Sequence, residues 1–113
     1  MEKDLLESLL SELRRGTLIL CVLSQLEQSR YGYALVQSME EKGVSIDPNT
    51  LYPLLRRLEK QGLLVSEWDT SEAKPRKYYK RTEYGNQIYE KLVEQWKLMS
   101  VGINELLGGL NDE

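Results

Sequence analysis

Histidine is absent from the 113 residues, and cysteine occurs once, as Cys21. Without histidine the chain lacks both the commonest general base and the commonest metal ligand. A single thiol excludes an intramolecular disulfide framework and any multi-cysteine metal site. No apolar run approaches the roughly 18–20 residues that span a bilayer, and Met1-Glu2-Lys3-Asp4 carries no signal-peptide pattern. Nor is there a Ser/His/Asp set, a glycine-rich phosphate loop or a carboxylate pair of recognisable spacing. These absences lead us to expect no enzyme, no metal, no cofactor and no membrane partner, and a small cytoplasmic protein instead. What is present suffices for one globular domain with a modest core: 41% hydrophobic and 29% charged residues.

The formal net charge of −3 hides a segregation. Residues 1–41 carry 4 basic and 7 acidic groups, residues 42–82 carry 9 and 5, and residues 83–113 carry 2 and 6. Within the middle block, Lys74, Arg76, Lys77, Lys80 and Arg81 fall in eight residues without an acid. An acidic whole argues against a simple nucleic-acid binder. A local basic face still attracts phosphate, because salt limits exposed charges to a reach of roughly 8–10 Å. Taken alone, such a run is more commonly a solvated hairpin.

Leu5, Leu6, Leu9, Leu10 and Leu13 recur at helical spacing and predict an amphipathic first helix ending at Arg14-Arg15-Gly16. Thr17 is expected to cap a second helix, whose Leu18–Leu23 run is apolar nearly all round, with Cys21 as a small buried hydrophobe. Tyr31-Gly32-Tyr33 breaks the chain and opens a third helix with Ala34, Leu35, Val36 and Met39 inward. Val44-Ser45-Ile46 is at most a strand fragment. Asp47-Pro48 is an N-cap followed by proline at the first helical position, and that helix stops at Gln61-Gly62. Leu63–Trp68 and Arg76–Arg81 read as two strands of a hairpin, and Thr82 caps a last helix reaching about Leu107.

On a helical wheel, Leu51, Leu54, Leu55 and Leu58 form one stripe of the fourth helix. Asn49, Pro53, Arg56 and Lys60 take the opposite face, with Tyr52 and Arg57 on its flanks. Such a face suits the major groove, where arginine bonds guanine O6/N7 and asparagine bonds adenine N6/N7. Any amphipathic helix turns a polar side to water, so the helix alone decides little. The succession decides more. A helical pair, a cation-faced helix and a hairpin with five further cations have the layout of a winged helix-turn-helix. The expected fold class is therefore mainly α (α+β), with an N-terminal helix and a long C-terminal helix added.

The residues carry a family likeness. Tyr31-Gly32-Tyr33, Thr50-Leu51-Tyr52-Pro53-Leu54-Leu55-Arg56-Arg57-Leu58-Glu59, Gly62-Leu63-Leu64 and Pro75-Arg76-Lys77-Tyr78-Tyr79-Lys80-Arg81-Thr82-Glu83-Tyr84-Gly85 resemble the small members of the PadR family of bacterial transcriptional regulators. The likeness covers about residues 16–107. It implies a winged-helix DNA-binding domain, a homodimer formed by the C-terminal helix with the N-terminal one, and repression relieved in several members by small aromatic or drug-like effectors. Three positions depart from the family's habit. Tyr31 stands where histidine is frequent, Ala73-Lys74 where the wing usually has a glycine, and Arg81 where leucine is usual. Either the Arg81 stem covers the core edge, or that strand face is more open than in relatives.

Tyr89, Leu92, Trp96, Met99, Ile103, Leu106 and Leu110 are spaced alternately three and four apart, an unbroken a/d seam. A stripe this long exceeds what a small winged domain covers. Together with the first helix it predicts a dimer interface of Leu5, Leu9, Leu92, Trp96, Met99, Ile103 and Leu106; the alternative is that both helices fold back on their own domain. Trp96, Met99 and Tyr89 could sandwich a planar aromatic effector, or Trp96 could be plain dimer core, and Trp68, at the end of a strand, is expected to pack in the core or at the base of the wing. The sites expected to bind double-stranded DNA at a palindromic operator are Asn49, Thr50, Tyr52, Pro53, Arg56, Arg57, Lys60, Lys74, Arg76 and Lys77. The organisation expected is a helix over 1–15, a DNA-binding domain over 16–82 and a dimerisation helix over 83–113. A winged-helix module that binds protein instead of DNA is the competing class; it needs no such concentration of cations.

Overall fold

In the computed structural model the described residues are 2–109. They form α1 (Glu2–Arg15), α2 (Leu18–Ser24), β1 (Arg30–Tyr31), α3 (Gly32–Glu41), α4 (Pro48–Lys60), β2 (Leu64–Asp69), β3 (Arg76–Arg81) and α5 (Glu83–Leu106). Leu110, the last residue of the expected seam, lies outside the described residues.

The core gathers where three apolar faces meet. Leu51, Leu54, Leu55 and Leu58 of α4 are buried, and so are Val22 and Leu23 of α2, Leu26 just beyond it, and Leu35 and Met39 of α3. Each such side chain contributes about 1.5–3 kcal/mol relative to exposure, so the one stripe of α4 anchors the helix firmly. Leu64 and Tyr79 close the core from the sheet. Cys21 is half-buried, not buried, and burial pushes its thiol pKa up.

Chain ends of the helices are fixed by local chemistry. The Asp47 carboxylate accepts from the backbone N–H of Asn49 at 2.8 Å, as the Asp-Pro signal implies. Gly62, at φ +82°, ends α4 in the left-handed region, and the N–H of Leu63 returns to the carbonyl of Leu58. Thr82 caps α5 by accepting from the N–H of Gly85 at 2.9 Å, and its own hydroxyl donates to the Gly62 carbonyl. Thr17 does not cap α2 through its side chain: its hydroxyl donates backwards to the Arg14 carbonyl and closes α1.

The sheet has three strands, ordered β1-β3-β2 and antiparallel throughout. The expected hairpin is present, with β2 starting one residue later than read from sequence. The third strand is an addition. Arg30 and Tyr31 pair with Tyr79 and Tyr78 of β3, so the break before α3 is also a strand. Val44–Ile46 forms no strand, yet Ile46 is buried and belongs to the core. The wing turns without glycine: Asp69 accepts from both the N–H and the hydroxyl of Ser71, and no described non-glycine residue has positive φ. These bonds and the nearby Arg76 hold the Asp69 carboxyl below its usual range.

Arg81 answers the question its position raised. Its guanidinium turns into the junction of α2 and α5, where Nη1 donates to the Leu23 carbonyl at 2.7 Å and Nε to Asn86 Oδ1 at 2.8 Å. It also lies 4.2 Å over the ring of Tyr89. A cation on the closing carbonyls of a helix is favourably placed with respect to the helix dipole. Arg81 thus ties the sheet to both helices.

Candidate nucleic-acid interface

The helix pair α3–α4 sets the interface. Gly32 opens α3 pressed against the ring of Tyr52, where a β-carbon would stand only 2.5 Å from that ring. This close approach sets the start of α3 against α4. With the leucine stripe inward, Asn49, Thr50, Tyr52, Pro53, Arg56, Arg57 and Lys60 are all exposed. Pro53 lies inside α4 and offers no N–H to the carbonyl one turn back, that of Asn49. This leaves an acceptor on the exposed side of the helix.

The wing stands beside this face. Tyr52 and Arg56 of α4 line one open cleft, of about 390 Å³, together with Pro75, Arg76, Lys77, Trp68, Tyr79, Tyr31 and Gly32. Cations from two elements far apart in sequence therefore converge on one concavity. Strand alternation sorts the wing residues. Arg76 sits 4.5 Å over the Tyr31 ring, which meets Tyr78 edge-on at 5.4 Å. A hydrogen bond to Tyr78, and then the neighbouring Tyr31, raise the already high pKa of Arg76. Lys77 points to the helix side: its ammonium is 3.7 Å from the Glu59 carboxylate and near the rings of Tyr79 and Trp68. Glu59 is held in turn by the Ser66 hydroxyl. Lys77 is thus partly neutralised within the protein, which the sequence run of cations did not reveal. Lys74 is exposed in the turn of the wing but does not line the cleft.

Trp68 departs from expectation. It packs into no core and is 61% exposed, on the cleft. Its pairing with Lys77 across the hairpin is the signal that could have placed it there.

A second concavity lies on the opposite functional element. An apolar groove of about 580 Å³ runs between the end of α1, α2 and α5, lined by Leu13, Ile19, Leu20, Leu92, Trp96, Met99 and Ile103 among others. Trp96 and Met99 are brought together as expected. Tyr89 is not among the lining residues, because Arg81 stacks on its ring and it packs against the core. Leu92 also packs against the core, whereas Leu5, Leu9, Trp96, Met99, Ile103 and Leu106 are exposed, and no residue of α1 is buried.

Three helices with a β-wing, one of them anchored by an apolar stripe and carrying a polar and cationic outer face, have the architecture of a winged helix-turn-helix DNA-binding protein. Comparison with known proteins makes this specific. The pattern of the transcriptional regulator PadR-like family matches residues 19–91. The chain belongs to that family, and its role is regulatory DNA binding, not catalysis. It is 37% identical over 79 residues to a transcriptional regulator of Mycobacterium tuberculosis, covering 70% of this chain and 71% of the relative. Among solved structures, a PadR family transcriptional regulator from Eggerthella lenta superimposes with a TM-score of 0.87 at 50% identity, over 95% of this chain and 96% of the other. A PadR-like regulator from Bacillus cereus gives 0.78 at 30% identity, over 88% and 99%.

Proposed function

We propose that the protein is a homodimeric, sequence-specific transcriptional repressor that binds a palindromic operator and is released by a small planar aromatic effector. The observation that carries the dimer is the unpartnered state of α1. Leu5, Leu6, Leu9 and Leu13 are all more than half exposed, and Trp96, Met99, Ile103 and Leu106 along one face of α5 are exposed as well. Two apolar stripes of this length left in water are the mark of an interface. Crossing α1 of one protomer over α5 of the other, about a two-fold axis, covers both.

Symmetry then gives the DNA geometry. Two copies of α4 in successive major grooves stand about 34–36 Å apart, so the half-sites are inverted repeats. Asn49, Arg56 and Arg57 read base edges, and Thr50, Tyr52, Lys60, Lys74, Arg76 and Lys77 hold the backbone. In this reading residues 1–15 and 83–113 serve assembly, and 16–82 serve DNA. The protein acts in the cytoplasm at the nucleoid; among the described residues no helix is long and apolar enough to cross a membrane.

The apolar groove beside Trp96 and Met99 lies against the stripes that the dimer covers, so a ligand there bears on the angle between protomers. Light scattering is expected to give twice the chain mass, and Leu9→Glu to halve it. A gel shift on the protein's own promoter is expected to exceed random DNA at physiological salt; equal binding to both refutes the sequence-specific reading. In a Trp68→Phe background, Trp96 fluorescence is expected to quench with flat aromatic cations, and a flat response across a varied panel removes the effector.

A further inference from the structure

A helix in a major groove and a wing in the neighbouring minor groove are separated by one sugar–phosphate strand. That strand has to pass through the space between α4 and the hairpin. In this protein the space is the cleft between Tyr52 and Arg56 on one wall and Trp68, Arg76 and Lys77 on the other. We infer that Trp68 is a DNA-contact residue, its indole face seating the deoxyribose of the bridging strand while Arg76 holds the adjacent phosphate. The inference rests on the DNA-binding reading above and adds a residue to it.

Three observations converge on the indole. Trp68 is 61% exposed although it lies within paired β2, one residue from the strand's end and opposite Lys77 in the hairpin. Exposing so large an apolar face is costly unless something covers it. Its ring is bordered by cations, with the Lys77 ammonium 6.0 Å from the ring centre and Arg76 lining the same cleft. An apolar plate flanked by positive charge matches the alternation of sugar and phosphate along one strand, and it does not match a purely anionic or purely apolar partner. Glu59 shares the Lys77 ammonium at 3.7 Å, which leaves Arg76 as the cation of the wing wall whose charge is free for a phosphate.

The salt dependence of binding separates this contact from the ionic ones. A sugar–indole contact releases no counterion, whereas each lost phosphate contact flattens the log–log salt slope by about 0.9. Trp68→Ala is expected to weaken binding of operator and random duplex alike by about tenfold, the size expected from leaving roughly 50 Å² of indole contact unmade. The salt slope is expected to stay at the wild-type value. Trp68→Phe, which keeps a flat apolar face, is expected to recover most of the loss, and Arg76→Gln to lower the slope.

Wild-type affinity in Trp68→Ala overturns the inference and leaves the DNA-binding reading intact. Lost affinity with a reduced slope in Trp68→Ala also overturns it, because it means the wing has moved and taken its cations with it. Failure of the wild-type protein to bind any duplex removes the DNA-binding reading itself, and the contact with it.

Discussion

Replacing Arg81 tests how the winged domain is joined to the long helix. Arg81→Leu removes two charge-assisted hydrogen bonds, to Leu23 and Asn86, and the stack on Tyr89. Such bonds contribute about 1.5–3 kcal/mol each, and an exposed-side cation–π contact about 0.5–1 kcal/mol. The full sum is not expected. The Leu23 carbonyl keeps its bond from the N–H of Leu26 at 3.1 Å, so no backbone acceptor is orphaned. Asn86 is half-exposed and can turn to water. Leucine also regains apolar contact with Tyr89. The net loss is then about 1.5–3 kcal/mol. The strand itself should hold, since the Arg81 N–H to the Leu26 carbonyl, at 2.9 Å, is backbone and survives.

Urea unfolding is the suitable assay, at one fixed protein concentration so that coupling to assembly stays constant. With m of about 1–3 kcal/mol per molar, the midpoint is expected to fall by about 1 M with m unchanged. Arg81→Lys keeps the charge but cannot fork between two acceptors and stack at once, so it is expected to recover less than half of the loss. Wild-type stability in either variant would refute the reasoning, the first by showing the contacts are dispensable and the second by showing that only charge matters.

Four further expectations follow from the same geometry. Gly85→Ala drives a methyl into the Leu63 carbonyl oxygen at a backbone–backbone contact, and is expected to cost at least about 1–3 kcal/mol by thermal or urea unfolding. Arg56→Ala is expected to cost about 1–3 kcal/mol at the operator and much less on random duplex; equal loss on both assigns Arg56 to the backbone. Glu59→Gln frees the Lys77 ammonium beside the cleft and is expected to tighten non-specific binding and steepen the salt slope, whereas Lys77→Gln is expected to lower the slope by less than one full contact, because that charge is already shared. The Cys21 thiol, whose folded pKa burial raises, contributes stability that is complete below its unfolded pKa and is lost as pH rises through the folded value. Alkylation of Cys21 at neutral pH is accordingly expected to be slower in the native protein than in urea, and equal rates would show the thiol to be unhindered.

Periodicity and punctuation in the sequence determined the elements that depend on nearest neighbours along the chain. The leucine stripe of α4, the Asp47 cap, the glycine that ends the helix at Gly62 and the Thr82 cap all act within one or two turns, so their residue types declare them. The outward placement of Asn49, Arg56 and Lys60 follows from that stripe without further information. The tertiary structure alone decided whatever depends on a partner distant in sequence. Two residues at Arg30–Tyr31 are too few to show strand periodicity; β3 makes them a strand. Arg81 reads as one more wing cation until the end of α2, 58 residues earlier, presents a carbonyl to it. Tyr89 keeps perfect heptad spacing, yet that arginine claims its ring. Lys77 is partly satisfied within the protein because Glu59 stands across from the wing, and Trp68 faces the cleft, which its place in the sequence did not show. Pairing across long loops is set by three-dimensional proximity, and a linear pattern carries no record of it.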